Sequence, residues 1–169
     1  MAHSAKAVAN TLLDLADERK MEITPLKLLK LVYFAHGWHL ALADAGLIKE
    51  RVEAWKFGPV VPSIYHSFKD FGMNPITGRA EAAEFEGLTY RCISPRVPEL
   101  APFFARILEV YGKLSGPQLS NLTHLSDSPW YEVWENRGGK DVKGTDIPDE
   151  LIKGYFKAQK VRPSSAVAA

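Results

Sequence analysis

The sequence predicts a mainly α fold of the α+β class: a compact single-domain helical bundle around a buried central helix, with a small two- or three-strand sheet. Three observations carry that expectation. The stretch from Pro25 to Ala45 is apolar on nearly every face, so as a helix it has to be covered all round. Amphipathic helical spacing recurs before and after it. Between these helices lies a short aromatic corner, Trp55-Lys56-Phe57-Gly58-Pro59-Val60-Val61, too dense in turn formers and rings to be helical.

The elements follow in order. Ala5, Val8, Leu12, Leu15 and Ala16 give the first helix one apolar side. Thr24-Pro25 starts the second, a hydroxyl N-cap followed by a proline whose missing N–H costs nothing in the first turn. That helix is expected to reach about Ala45, with Gly46 as its left-handed stop, and Lys27 and Lys30 mark one of its sides. Arg51 to Phe57 reads as a short strand or an extended segment. Pro62 opens a third helix through Ile64, Tyr65 and Phe68 that ends at Gly72. Met73 to Glu86 reads as loop, and Leu88 to Ile93 as a strand pairing with the Val52 region. Pro98 to Leu114 is helical. Ser115 caps a shorter helix to Leu125, and Ser128-Pro129-Trp130 begins another. Asn136 to Thr145 is a polar loop, and Asp146-Ile147-Pro148 opens a last amphipathic helix. One domain is expected over residues 1–161, with a disordered tail over 162–169.

Composition narrows function by exclusion. The 169 residues are 46% apolar and 24% charged, with a net charge of +1, the balance of an ordinary soluble domain without a bulk field to draw nucleic acid or an acidic membrane. Basic residues are scattered, and although Lys153, Lys157 and Lys160 share a helical face, a solvated face is the reading preferred over a DNA-binding regulator. The single cysteine, Cys92, excludes an internal disulfide and fits a reducing, cytoplasmic setting. The N-terminal run lacks a signal peptide's apolar core, and Lys30, His36 and His39 interrupt the longest apolar run, so no membrane span is expected.

Catalytic sets are weak. His36 and His39 lie three apart on the central helix, and with His124 they form the candidate three-histidine zinc site of a metal-dependent hydrolase. His-x-x-His alone is a poor signal, however, and each ring can equally close a buried hydrogen bond. Cys92 sits in an expected strand among apolar neighbours, with no positive cluster to activate it. Asp14, Asp17 and Glu18 fall on what reads as an exposed helix face, where solvated charge is the default. Neither a nucleophile elbow nor a phosphate loop is present. The reading is therefore a non-enzyme with no cofactor and no metal, a rigid body whose Trp55, Phe57, Tyr65, His124 and Trp130 form the candidate partner-binding surface.

Two blocks carry a family resemblance. Leu28 to Trp38, LLKLVYFAHGW, followed by Glu53 to Tyr65, EAWKFGPVVPSIY, and later Leu119 to His124 with Ser128-Pro129-Trp130, resemble the signature of the Panacea-domain family, the SocA-like group that includes GepA-like phage-associated bacterial proteins. Lys30, Tyr33, His36, Trp38, Gly58, Pro59, Val60, Thr123 and Pro129 stand at its motif positions. What the resemblance implies is an antitoxin that neutralises a cognate toxin protein by direct contact. The compact chain has neither a basic reader helix nor a long disordered arm, which suggests a proteolytic adaptor that hands the toxin to a Clp-type ATP-dependent protease. The terminal Ser165-Ala166-Val167-Ala168-Ala169 is similar to tags that such unfoldases grip, and an idle terminus is the plainer account.

Overall fold

The computed structural model describes residues 1–161; the expectations for the Arg162–Ala169 tail lie outside the described residues. The helices are α1 (Ala5–Glu18), α2 (Pro25–Ala43), α3 (Pro62–Phe68), α4 (Ala101–Tyr111), α5 (Gly116–Thr123), α6 (Pro129–Tyr131, continued by a wide π-type turn over Glu132–Asn136) and α7 (Asp149–Val161). The strands are β1 (Glu53–Trp55), β2 (Gly58–Val60), β3 (Ala82–Glu86) and β4 (Thr89–Ile93). They form two separate antiparallel hairpins, β1–β2 and β3–β4, so the chain is mainly α with a small sheet component.

Helix α2 is the axis. Its residues from Leu28 to Gly37 are buried without interruption, because α1, α3, α4, α5, α7 and β2 pack around it. Thr24 caps its start by accepting from the Lys27 amide at 3.4 Å. At its other end the structure corrects the sequence reading: the helix stops at Ala43, and Asp44 rather than Gly46 takes the left-handed position, φ +57°. The Asp44 carboxylate there accepts from Lys153 and Lys157 of α7, each at 2.9 Å, so the left-handed residue also ties α2 to α7. The two lysines pair with Asp44 and do not form a free basic patch. Asp44 is held down to about 2 by these two ammonium groups.

Against α2, α7 lays Phe156, whose ring stands edge-on to Tyr33, Phe34 and Trp38 with centroids 5.3–6.0 Å away. Gly37 permits the approach, since a Cβ there would fall 2.2 Å from the Phe156 ring.

The strand pairing also differs from expectation. Residues from Leu88 to Ile93 do not reach the Val52 region; β4 pairs with β3, inside the segment read as loop, in the register Ala83↔Cys92 and Phe85↔Tyr90. Cys92 lies in the expected strand, opposite Ala83, and is exposed. The Val52 region is instead occupied by Ile147, whose amide donates to Val52 O at 2.7 Å, and β1 turns back at once on β2. Asp14 and Asp17 are not idle surface charges either. Arg79 donates to both and Arg96 to Asp14; burial pushes the Asp14 carboxyl up, but the two guanidiniums more than offset it and hold the group below the usual carboxylate range. Among the described residues no helix is long and apolar enough to cross a membrane.

Candidate functional site

The two sequence blocks meet at the β1–β2 hairpin. This hairpin turns through only two residues, Lys56 and Phe57, between the closing pair Trp55↔Gly58. Three of its carbonyls are each taken by a side chain from a different helix. Trp130 of α6 donates Nε1–H to Trp55 O at 2.7 Å, Ser120 of α5 donates Oγ–H to Phe57 O at 2.7 Å, and Lys30 of α2 donates Nζ–H to Pro59 O at 3.0 Å. Backbone carbonyls buried against a protein must find such partners, and meeting all three fixes the turn to the body. The consequence is the posture of Phe57. Its backbone is latched while its ring stays 64% exposed, with the Lys56 ammonium 5.6 Å from the ring centroid.

Sequence explains the seat. Ser115 and Gln118 make a reciprocal capping box that starts α5. Ser128 caps α6 by accepting from the Tyr131 amide at 3.1 Å, and its own hydroxyl donates to Thr123 O at 2.6 Å. This double use of Ser128 makes the α5–α6 corner rigid and turns Trp130 inward, where it is buried. His124 stacks on Trp130 (centroids 4.0 Å apart, 24° between planes), and Trp134 stacks 5.6 Å from the same indole. Trp55 donates to Glu53 at 2.7 Å and meets Tyr65 edge-on at 4.9 Å.

Gly58 is required at this joint. It has φ +107°, and a Cβ would lie 2.6 Å from Thr123 Oγ1 and 3.0 Å from Lys30 Cε and Nζ. Gly58→Ala is expected to cost roughly 2–4 kcal/mol, backbone strain plus overpacking, read as a lower urea midpoint. An unchanged midpoint would mean that the hairpin is not clamped as described.

Lys30 is the least expected member. It is fully buried, and burial pulls its amine down to about 7. His124 is likewise lowered, first by burial and then by the Lys30 charge, and its Nε2 is buried without a partner among the described residues.

Of the candidate surface residues, then, Phe57 faces outward, Trp55, Tyr65 and His124 are half-buried around it, and Trp130 acts from beneath as a support. Lys30, Gly58, Pro59 and Thr123 meet below the turn. Tyr33, Trp38 and Val60 belong to the core and its edge. The sequence reading missed Ser120, the latch on Phe57; a lone serine on a short helix carries no signal of that role.

The histidine alternative does not assemble. His36 accepts the Leu47 amide at Nδ1 (3.3 Å) and faces Asp149 through Nε2 at 3.0 Å. His39 Nδ1 lies 2.7 Å from Ala45 O, and His124 stacks on Trp130. Among the described residues no three His, Cys, Asp or Glu side chains are grouped to hold a metal ion.

The class of protein defined here is a helical body that carries a latched, exposed aromatic turn. The comparisons give that class a family: a model described as antitoxin SocA-like, Panacea domain, matches residues 28–131, and the chain belongs to this SocA-like Panacea-domain family. It is similar to antitoxin SocA of Caulobacter vibrioides (strain NA1000 / CB15N), 38% identical over 161 residues, which span 95% of this chain and 86% of the relative. No solved structure matches. The matched region begins within α2 and ends in α6, so it contains every element that builds the clamp. Family membership supports an antitoxin role.

Proposed function

We propose that this chain is an antitoxin that binds its cognate toxin protein directly at the β1–β2 turn and the α5–α6 corner, without enzymatic activity of its own, in the cytoplasm. The observation that carries the reading is the clamped, outward-facing Phe57. Aromatic anchors held rigidly at low entropic cost are the residues on which protein interfaces concentrate their energy. Family membership and the named relative support the antitoxin half.

The test is co-expression with the product of the adjacent gene. Wild-type chain is expected to retain that protein on an affinity column and to rescue growth. Phe57→Ser leaves folding intact, because the ring is exposed, and is expected to weaken capture at least tenfold, about 1.4 kcal/mol or more. Undiminished capture by Phe57→Ser would remove the corner as the contact.

A Clp-type protease is the proposed second partner, with the chain acting as adaptor. A folded, stable antitoxin either occludes a toxin or has it destroyed. The two differ in toxin half-life: delivery shortens it only when both the chain and the protease are present, whereas occlusion leaves it equal in protease-positive and protease-null cells.

A further inference from the structure

We propose that the β3–β4 hairpin is a second docking arm, whose apolar face takes an apolar segment of the toxin flanked by basic residues; this rests on the antitoxin reading above. In an antiparallel ribbon, directly opposed residues share a face. One face of this ribbon carries the pairs Ala83↔Cys92 and Phe85↔Tyr90, and the other carries Ala82↔Ile93, Glu84↔Arg91 and Glu86↔Thr89. The usual arrangement turns the apolar face inward. Here it is reversed. Phe85 is 74% exposed and Tyr90 67%, their rings 6.0 Å apart. Ala83, Cys92 and, at the turn, Leu88 are exposed with them. The charged face is the more sheltered one: Ala82, Glu84 and Ile93 are half-buried, and Arg91 is paired with Glu84.

This blade is free but its root is fixed. Buried Asn10 of α1 holds both legs at once, donating to Ala80 O at 2.8 Å and Pro95 O at 3.1 Å while accepting from the Ala80 amide at 2.8 Å. Thr11 accepts the Val97 amide at 2.8 Å, and Arg79 and Arg96 converge on Asp14. An unpartnered apolar surface on a rigid mount, rimmed by polar groups, is the form of an interaction site.

Charge and area choose the occupant. Glu81, next to the apolar face, and Glu84 and Glu86, on the reverse face, stand against Arg91 and against Lys6, whose ammonium donates to Glu81 O at 2.8 Å, an excess of one negative charge along the arm on a chain whose net charge is +1. A basic rim on the partner complements it. A second copy would oppose the same carboxylates. It would also bury too little, since two rings and a leucine supply about 150–250 Å² each at most, short of the ~800 Å² per partner of a stable interface. A toxin already held at Phe57 needs only the extra contact.

The test uses the full chain, alone and in complex with the co-purified product of the adjacent gene. Cys92 is the sole cysteine and stands on the apolar face, so it reports occupancy directly. N-ethylmaleimide modification of Cys92, followed by mass spectrometry, is expected to slow at least tenfold in the complex. Phe85→Ser/Tyr90→Ser is expected to keep the wild-type melting temperature, since both rings are exposed, and to lower capture at least tenfold. Unchanged Cys92 reactivity in the complex, or full capture by the double variant, overturns the arm. Protection of Cys92 in the free chain that grows with its concentration overturns it in favour of a second copy. If wild-type chain captures no toxin, the antitoxin reading itself falls and the arm with it, whereas toxin retained by both wild type and double variant sinks the arm alone.

Discussion

Gly37→Ala is expected to destabilise the protein by about 3 kcal/mol, although glycine-to-alanine in a helix interior ordinarily gains up to about 1 kcal/mol. The added methyl would lie 2.2, 2.4 and 2.6 Å from three carbons of the Phe156 ring. That ring is fully buried and boxed by Tyr33, Phe34, Trp38 and Tyr155, so it has no adjacent space to enter. Either α7 shifts outward or the ring is expelled, and losing a buried phenylalanine from a core costs about 3–5 kcal/mol. Urea unfolding measures the loss. Two further readouts identify its cause. Hydrogen exchange should accelerate first in α7, the helix whose seat on α2 is spoiled. Gly37→Ala/Phe156→Leu should be more stable than Gly37→Ala alone, because the smaller side chain vacates the volume the methyl fills. A Gly37→Ala protein within about 0.5 kcal/mol of wild type would show that the α2–α7 contact is looser than described.

That contact also shows what a sequence can and cannot disclose. The buried axis was legible because Leu28 to Gly37 leaves no polar face, and the α5–α6 corner because Ser115, Ser128 and the prolines after them are local signals with local causes. The depth of Lys30 was not. A lysine three residues from Lys27 reads as one side of a helix, and only the β1–β2 hairpin and α5 lying over that side make it interior. Asp44 stops α2 where a glycine was expected because its carboxylate is repaid by two lysines more than a hundred residues away, and nothing near Asp44 announces them. The β3–β4 arm escaped for a different reason. Its apolar positions alternate in strand fashion on both sides of Gly87, which has φ +63°, and that turn glycine was the available signal. The residues face water, however, so the expectation that a strand pairs with the core hairpin misdirected the reading. Of the candidate surface, Phe57 was legible as an aromatic beside a Gly-Pro turn, and Trp130 as a ring that the Ser128-Pro129 corner turns onto the core, whereas the Trp55 carbonyl it serves, 75 residues away, was not.

Lys30→Met is expected to give a protein whose advantage over wild type depends on pH and runs opposite to its function. Burial lowers the Lys30 amine from 10.5 to about 7. Unfolded chains therefore hold this proton more tightly than the native state does, so the residue's destabilising effect is full below pH 7 and is relieved as pH rises from 7 towards 10.5. The full effect corresponds to roughly 4–5 kcal/mol. Methionine has similar length and no charge, but it abandons Pro59 O, which costs about 1–3 kcal/mol. The balance favours Lys30→Met by about 3 kcal/mol at pH 6 and falls to zero or slightly below by about pH 9.5. Lys27, also lowered by burial, titrates in the same sense in both proteins and cancels in the difference, and stopping at pH 9.5 avoids Tyr33 and Tyr111, both raised by burial. Urea unfolding of the two proteins at pH 6, 8 and 9.5 measures the difference, and a pH-independent difference would refute the account. The same substitution unlatches one of the three carbonyls that hold the turn, so toxin capture by the more stable variant should fall. A lysine whose removal strengthens the fold and weakens binding is a positioning residue for Phe57, an exchange of stability for a pre-organised surface. If Lys30→Met binds as well as wild type, Trp130 and Ser120 suffice to hold the turn and the buried amine has no part in presenting it.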